Sequence, residues 1–214
     1  MIESNSKLLT PNAKLVSSFP LMEQYYTIQG EGYNTGTPAY FLRLGGCDVG
    51  CVWCDVKDSW EADKHPVTTV NEMLKLIQRA NASTAVITGG EPLMNDLSFL
   101  TDNFRQNKIR LWLETSGAYP LSGTWDWICV SPKKFKAPLK EVLVNADELK
   151  VVIFNRSDFE WAEKHAALVK DDCRLFLQPE YSRQLEILPE IIDYVKQNPD
   201  WRISLQTHKY MNVP

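Results

Sequence analysis

Short apolar runs alternate with amphipathic stretches along most of the chain. Seven runs read as strands: "AYFLRL" (39–44), "TAVIT" (84–88), "IRLWLET" (109–115), "WICVS" (127–131), "ELKVVIF" (148–154), "RLFLQ" (174–178) and "RISLQT" (202–207). Each is rich in aliphatic, β-branched or aromatic residues. Between several of them the apolar period lengthens to that of a helix. Thr69 with Glu72 predicts a capping box ahead of Val70, Met73, Leu74 and Ile77, and Ser157 with Glu160 predicts another ahead of Phe159, Ala162 and Ala166. Leu97, Leu100 and Phe104 mark a third helix. A fourth places Leu185, Leu188, Ile191, Ile192 and Val195 on one face and stops at "QNPD". Alternation of this kind builds βαβ units on a parallel sheet, open or curled into a barrel.

In such architectures ligands bind beyond the C-terminal ends of the strands. Those ends are chemically rich here. The first strand runs into a cysteine-containing loop, the second into "GGEP" (89–92), the third through Glu114 and Thr115 into "SG" (116–117), the fourth into "SPKK" (131–134), the sixth into "QPE" (178–180) and the seventh into "THK" (207–209). Any one of these reads equally well as a turn or a helix cap. Glycine pairs, carboxylates and lysines gathered on one edge predict a site.

Composition narrows the class. With 214 residues, 44% of them hydrophobic, and no linker or repeat, the chain is expected to form one domain spanning 1–214. A net charge of −4 offers no overall positive field for nucleic acid or an anionic membrane, so neither is expected as a partner. The start, "MIESNSKLLTPNAKLVSSFP", has no apolar leader, and no stretch approaches the ~18 apolar residues of a membrane span. A cytoplasmic location is the expectation, and in that reducing setting clustered cysteines read as metal-binding or redox-active.

Three of the five cysteines fall within "GGCDVGCVWC" (45–54). The spacing C-x3-C-x2-C supplies three thiolates from one short loop, enough for three corners of an iron-sulfur cube, whereas a closed zinc site takes four ligands. Candidate fourth ligands are His65, Cys129 and Cys173. His65 reads better as a loop histidine, and the two cysteines as small buried hydrophobes. An open corner points to catalysis. Gly45, Gly46 and Gly50 let the backbone approach a cluster, and Trp53 can shield it from water.

"CDVGCVWC" followed one strand later by "TGGEP" resembles the radical S-adenosylmethionine superfamily. Further stretches, "YYTIQGEG" (25–32), "FLRLGGC" (41–47), "ETSG", "SPK", "DELKVV" (147–152), "FLQPE" and "LQTHKYMNVP", are similar to the 7-carboxy-7-deazaguanine synthases of the queuosine and 7-deazapurine pathway. The resemblance covers about 22–214 and leaves 1–21 as an N-terminal extension. It implies a partial (open) TIM-like barrel of parallel strands with outer helices, and a homodimer. It also implies a [4Fe-4S] cluster on Cys47, Cys51 and Cys54, whose open iron binds S-adenosyl-L-methionine. Gly89, Gly90 and Glu91 would meet the cofactor's amino group. Thr115, Ser116, Ser131, Lys133 and Gln178 would take its carboxylate and ribose, with Trp53 alongside. No catalytic side chain beyond the cofactor radical is implied. That radical would take hydrogen from C6 of 6-carboxy-5,6,7,8-tetrahydropterin, and ring contraction with loss of ammonia would give 7-carboxy-7-deazaguanine. A reductant such as flavodoxin or ferredoxin would supply electrons.

For the substrate, complementarity assigns the carboxylate to the Arg43 guanidinium and the guanidine-like N–H edge to acceptors at Gln29 and Glu31. Gly30, Thr88, Glu114, His208 and the chain end at Pro214 complete the expected pocket. One position departs from the family pattern. A hydroxyl residue that helps bind magnesium commonly follows the Cys-Asp pair, but Val56 follows Asp55 here, and valine cannot ligate a hard cation. Asp55, Asp58 or Ser59 would have to hold Mg2+ instead. Two other readings stand beside this one: another radical enzyme such as a glycyl-radical activase, or a non-catalytic iron-sulfur or zinc protein.

Overall fold

The computed structural model describes residues 17–214. Residues 1–16, most of the expected extension, lie outside them. Nine strands share one sheet: β1 (Ser18–Ile28), β2 (Pro38–Leu44), β3 (Val67–Thr69), β4 (Thr84–Gly89), β5 (Arg110–Thr115), β6 (Trp127–Val130), β7 (Glu148–Ile153), β8 (Arg174–Pro179) and β9 (Trp201–Ile203). Their order is β3-β1-β2-β4-β5-β6-β7-β8-β9. From β2 to β9 every pairing is parallel; β1 lies antiparallel on β2, and β3 antiparallel on β1. The order ends at β3 and β9 without closing, which makes an open, partial TIM-like barrel with an antiparallel edge. That edge is a finding the pattern did not predict. Part of the expected extension, from Ser18, belongs to the sheet.

Among the described residues six α-helices accompany the strands: α1 (Val70–Arg79), α2 (Ser98–Gln106), α3 (Lys140–Leu143), α4 (Ser157–Ala166), α5 (Gln184–Gln197) and α6 (Thr207–Met211). The first capping box forms as expected, with Thr69 Oγ1 accepting from Glu72 N–H and Glu72 Oε2 accepting from Thr69 N–H. The second does not. Ser157 is already helical, and the turn before it is held by Asn155 Oδ1, which accepts from Ser157 N–H, and by Asp158 Oδ2, which accepts from Phe154 and Asn155 N–H. Leu100 and Phe104 of α2, and Leu97 just before it, are completely buried. α5 presents the expected face in part, with Ile191 buried and Val195 packed against the core. Ile187 is buried as well, while Leu185 is 93% exposed and Ile192 also faces outward. The seventh strand is shorter than "RISLQT" suggests; it ends at Ile203, and Thr207 opens α6.

Side chains alternate across the strands and build two very different faces. Outward, Leu42, Leu44, Ile87, Leu111, Leu113, Leu149, Val151 and Leu177 pack with Met73, Ile77, Leu100, Phe104, Ile187 and Ile191 of the helices in one large core. Inward, a small apolar cluster of Ala39, Phe41, Val86 and Trp112, with Tyr25 and Trp127 packed against it, gives way to Arg43, Thr88, Glu114, Lys150 and Gln178. The inner positions change from oily to charged along the strands, and that change makes a site.

Candidate active site

The inward face and the strand-end loops enclose a cavity of about 310 Å³. All three clustered cysteines line it. Their loop returns on itself, with Gly46 N–H donating to Ser59 O at 2.6 Å and Cys47 N–H to Trp60 O at 3.1 Å. From outside, Asp48 is gripped by Lys136 Nζ at 2.8 Å and by the Tyr119 hydroxyl at 2.6 Å. The thiols are free, and burial pushes Cys51 up to about 11 and Cys47 upward as well. The thiolate is the form that ligates a metal, and binding expels the proton that burial otherwise retains. Three cysteines from one loop fall short of the four ligands of a closed zinc site. His65 is no fourth ligand: its Nε2 contacts Asp58 O at 2.8 Å and its ring packs under Gly45. Cys129 and Cys173 are buried outside the cavity lining. The donor set therefore fits an iron-sulfur cube with one corner left to another ligand.

The "GGEP" turn crosses this loop at backbone contact. Glu91 N–H donates to Gly46 O and Gly90 N–H to Leu44 O, each at 2.9 Å. A Cβ on Gly90 would lie 2.2 Å from Gly46 O, so only glycine permits the crossing. Glu91 lines the cavity but is only 2% exposed, and its carboxylate is fully bonded. Oε1 accepts from Thr115 Oγ1 at 2.5 Å and from Leu93 N–H, while Oε2 accepts from Ser116 Oγ and Ser116 N–H. Glu91, Thr115 and Ser116 thus lock two strand ends together, and their polar atoms are already committed to one another.

The far side of the cavity is built from the two ends of the described chain. The β1–β2 loop carries Gln29, Gly30 and Glu31, and it meets the segment leading into α6. Gly30 O accepts from Thr207 N–H at 2.8 Å and from Thr207 Oγ1 at 2.9 Å, and a Cβ on Gly30 would strike the His208 ring. Gln206 Nε2 donates to Glu31 Oε1 at 2.8 Å. Pro214 O accepts from the Thr27 hydroxyl at 3.2 Å, returning the chain to β1. Burial opposes ionisation of Glu31, yet Lys150 and Gln206 more than offset it and bring the carboxyl down to about 2. Burial lowers His208 from the ordinary imidazole value.

Arg43, Thr88, Glu114, Ser131, Lys133 and Gln178 all line the same cavity. Arg43 donates from Nε to Glu23 and from Nη2 to the Tyr25 hydroxyl at 2.9 Å. Lys133 Nζ bonds Ser131 Oγ at 2.5 Å and sits over the Trp53 ring, 5.2 Å from its centroid. Burial lowers Lys133 below the usual ammonium value. The Gln178 side-chain carbonyl accepts from Ser204 Oγ at 2.8 Å.

The radical SAM superfamily pattern matches residues 42–130, which span the cysteine loop, "GGEP" and the first four parallel strands. The 7-carboxy-7-deazaguanine synthase of Flavobacterium psychrophilum is 55% identical over 91% of this chain and 92% of its own length. This chain belongs to the 7-carboxy-7-deazaguanine synthase family. The synthase of Synechocystis sp. is 46% identical over 93% of this chain and 95% of its own. A crystal structure of QueE from Escherichia coli superposes with a TM-score of 0.80 at 35% identity, covering 89% of this chain and 95% of that one. Membership of the synthase family brings the [4Fe-4S] cluster and S-adenosylmethionine with it, and the cysteine loop has the ligands for the first.

Two inner-face residues escaped the sequence reading although the family stretch "DELKVV" contains both. Lys150 is 4% exposed and joins Glu31 Oε2 at 2.6 Å to Glu114 Oε2 at 3.0 Å. Glu148, 3% exposed, accepts from Tyr33 N–H and Trp127 Nε1–H through Oε2 and has no partner at Oε1. A lysine and a glutamate inside an otherwise apolar strand are the signal that could have found them.

Proposed function

We propose that this chain converts 6-carboxy-5,6,7,8-tetrahydropterin to 7-carboxy-7-deazaguanine with release of ammonia, a carbon-nitrogen lyase reaction on the route to queuosine and other 7-deazapurines. One observation carries the reading: Gln29–Glu31 and Gln206–His208, far apart in the sequence, meet at the wall of a cavity that three free cysteines also line. Such a wall of amide, carboxylate and imidazole groups suits a flat heterocycle with N–H donors along one edge. A protein substrate of the kind a glycyl-radical activase handles needs an open groove instead.

When bound, the cluster and S-adenosylmethionine supply the 5'-deoxyadenosyl radical chemistry of the superfamily. The chain's own residues bind, orient and exclude water. Cys47, Cys51 and Cys54 would hold the cluster. Carbonyls of the Gly89–Gly90 turn would accept from the cofactor's amino group, with Glu91, Thr115 and Ser116 fixing that turn. Lys133 and Ser131 would meet the cofactor's carboxylate, Gln178 its ribose, and Trp53 would cover it. Arg43 would pair with the substrate carboxylate. Gln29, Glu31 and Glu114 would accept from the guanidine-like edge, with Gly30, Thr88, His208 and Pro214 completing the enclosure.

Magnesium fits poorly. Val56 lines the cavity where the family carries a hydroxyl, Ser59 donates its own hydroxyl to Val56 O at 2.6 Å, and Asp55 faces Lys209 Nζ at 3.7 Å. Asp58, the other candidate carboxylate, is absent from the cavity lining, and an ammonium beside Asp55 disfavours a dication. No helix among the described residues is long and apolar enough to cross a membrane. A cytoplasmic setting, a flavodoxin- or ferredoxin-like reductant and a homodimer come with the family likeness and are part of the proposal.

The test is anaerobic reconstitution with iron and sulfide, followed by S-adenosylmethionine and dithionite with and without the carboxytetrahydropterin. The expected outcome is 7-carboxy-7-deazaguanine and ammonia only when the pterin is present. Formation of 5'-deoxyadenosine with the pterin left unchanged would refute the assigned substrate.

A further inference from the structure

Lys150 breaks the apolar pattern of β7 from its middle, and its ammonium is carried to the cavity wall. A fold does not need it there. Removing an ammonium and two carboxylates from water costs more than their mutual attraction commonly returns, and apolar side chains of similar volume generally stabilise as well or better. The bonding pattern suggests what the charges are for. Glu31 gives Oε2 to Lys150 and Oε1 to the Gln206 amide; Glu114 gives Oε2 to Lys150 and Oε1 to the Gln29 amide at 3.2 Å. The two carboxylates, from the β1–β2 loop and from β5, are thereby oriented by the same rule around one cation. Each oxygen keeps a lone pair for a further donor. The three groups carry one net negative charge, which favours a ligand edge of N–H donors.

We propose that Lys150 is a positioning residue for substrate: its buried ammonium binds Glu31 and Glu114 at once and sets the two carboxylates as a single acceptor edge for the guanidine-like N–H groups of the pterin. This rests on the substrate assignment above and extends it to a residue that does not touch the reacting atoms. Without Lys150 the same wall would hold two mutually repelling carboxylates beside Glu148. The other titratable groups near this cation are Cys129 on β6, Lys133 beyond it and His208 on α6. Burial works against the Lys150 charge, but the facing acidic groups outweigh it and hold the ammonium well above its ordinary value. Lys150 therefore stays charged throughout any assay range.

The experiment compares KM for the carboxytetrahydropterin and kcat in the parent holoenzyme, Lys150→Met, Glu31→Gln and the double variant, each at pH 6 and pH 8.5. Lys150→Met is expected to raise KM by roughly 10- to 100-fold, the scale of a lost charge-assisted contact, with a smaller change in kcat. The rise should be larger at pH 6. Loss of the cation lets the Glu31 carboxyl climb from about 2 toward the assay range, and a protonated carboxyl is a poorer acceptor. Because the lysine acts through both carboxylates, the double variant should lose less than the two single effects combined, and adding Lys150→Met to a Glu31→Gln, Glu114→Gln protein should raise KM no further. A KM within twofold of the parent at both pH values, or an effect that adds in full to that of Glu31→Gln, overturns the proposal. If Lys150→Met does not fold, the Glu31→Gln, Glu114→Gln protein is measured with and without Lys150→Met: equal KM supports the role and a further tenfold rise overturns it. A parent that leaves the pterin untouched refutes the substrate assignment, whereas a parent that turns over beside an unaffected Lys150→Met refutes only the role of Lys150.

Discussion

The two faces of the parallel strands come from the same residues taken alternately, yet they obey different rules. On the helix side, Leu42, Ile87, Leu113, Leu149, Val151 and Leu177 are all fully buried against apolar partners, and any one resembles the next. On the cavity side, neighbouring positions hold Arg43, Thr88, Glu114, Lys150 and Gln178, no two of them alike. The outer face works by volume and area, and its members are interchangeable within limits of packing. The inner face works by the placement of individual atoms. Substitutions should therefore separate cleanly, with outer-face changes reducing stability and inner-face changes reducing function.

The sharpest break lies at the cysteine loop. Replacing Cys47, Cys51 or Cys54 by Ala should abolish both the brown chromophore and product formation while leaving the far-ultraviolet circular dichroism unchanged, because the loop sits at the strand ends outside the helix-side core. Cys173→Ala should keep the chromophore. A fully active Cys51→Ala protein would remove the cluster from the mechanism.

On the opposite face, Leu113→Ala deletes a fully buried side chain between β5 and the helices. The expected cost is about 2–5 kcal/mol of unfolding free energy in urea titrations, with kcat per folded molecule little altered. A large loss of kcat at unchanged stability would contradict the division of labour between the faces.

Arg43 lies between these extremes because it belongs to the inner face but also anchors the edge strand through Glu23 and Tyr25. Arg43→Lys keeps the charge and loses the planar fork, so substrate binding should weaken by roughly 1.5–3 kcal/mol. Cofactor cleavage in the absence of pterin reports separately on the cluster side. If the variant binds the pterin as tightly as the parent, Arg43 serves the β1–β2 pairing alone.

The same contrast explains what could be read in the sequence. Outer-face positions recur with a fixed period, so the seven parallel strands and α1 and α2 follow from pattern alone. The cysteine loop and "GGEP" were visible because their residues are local and chemically unmistakable. β1 was hidden because "SFPLMEQYYTI" never alternates cleanly; it carries Pro20, bulges between Leu21 and Glu23, and leaves much of its length half-exposed. The expected face of α5 holds at Ile191 and Val195, whereas Leu185 in the first turn and Ile192 are exposed and Ile187 is buried instead. The box at Ser157 and Glu160 failed because Asn155 and Asp158, equally good capping residues, took the turn first. Lys150 and Glu148 were missed for a deeper reason. A strand read for its apolar run conceals the polar exceptions within it, and only the three-dimensional meeting of β5, β7 and the β1–β2 loop shows what those exceptions face.

Glu148 provides the finest test of the inner face. Burial pushes its carboxyl up to about 7, with Lys150 opposing that rise and Glu114 adding to it. The unfolded carboxyl titrates near 4.5, so between these values the folded protein binds more protons than the unfolded chain. The stability this group contributes is complete below about 4.5 and is lost as pH rises through about 7. Glu148→Gln keeps a carbonyl for Tyr33 N–H and Trp127 Nε1–H but cannot ionise. Between pH 6 and pH 7 the parent should therefore lose about 1 kcal/mol of stability relative to the variant. Urea midpoints of the two proteins, measured in parallel at pH 5, 6, 7 and 8, resolve such a difference. If the two curves keep a constant separation across that range, the Glu148 carboxyl is already ionised in the folded protein, and the inner face holds one more fixed charge than the structure assigns to it.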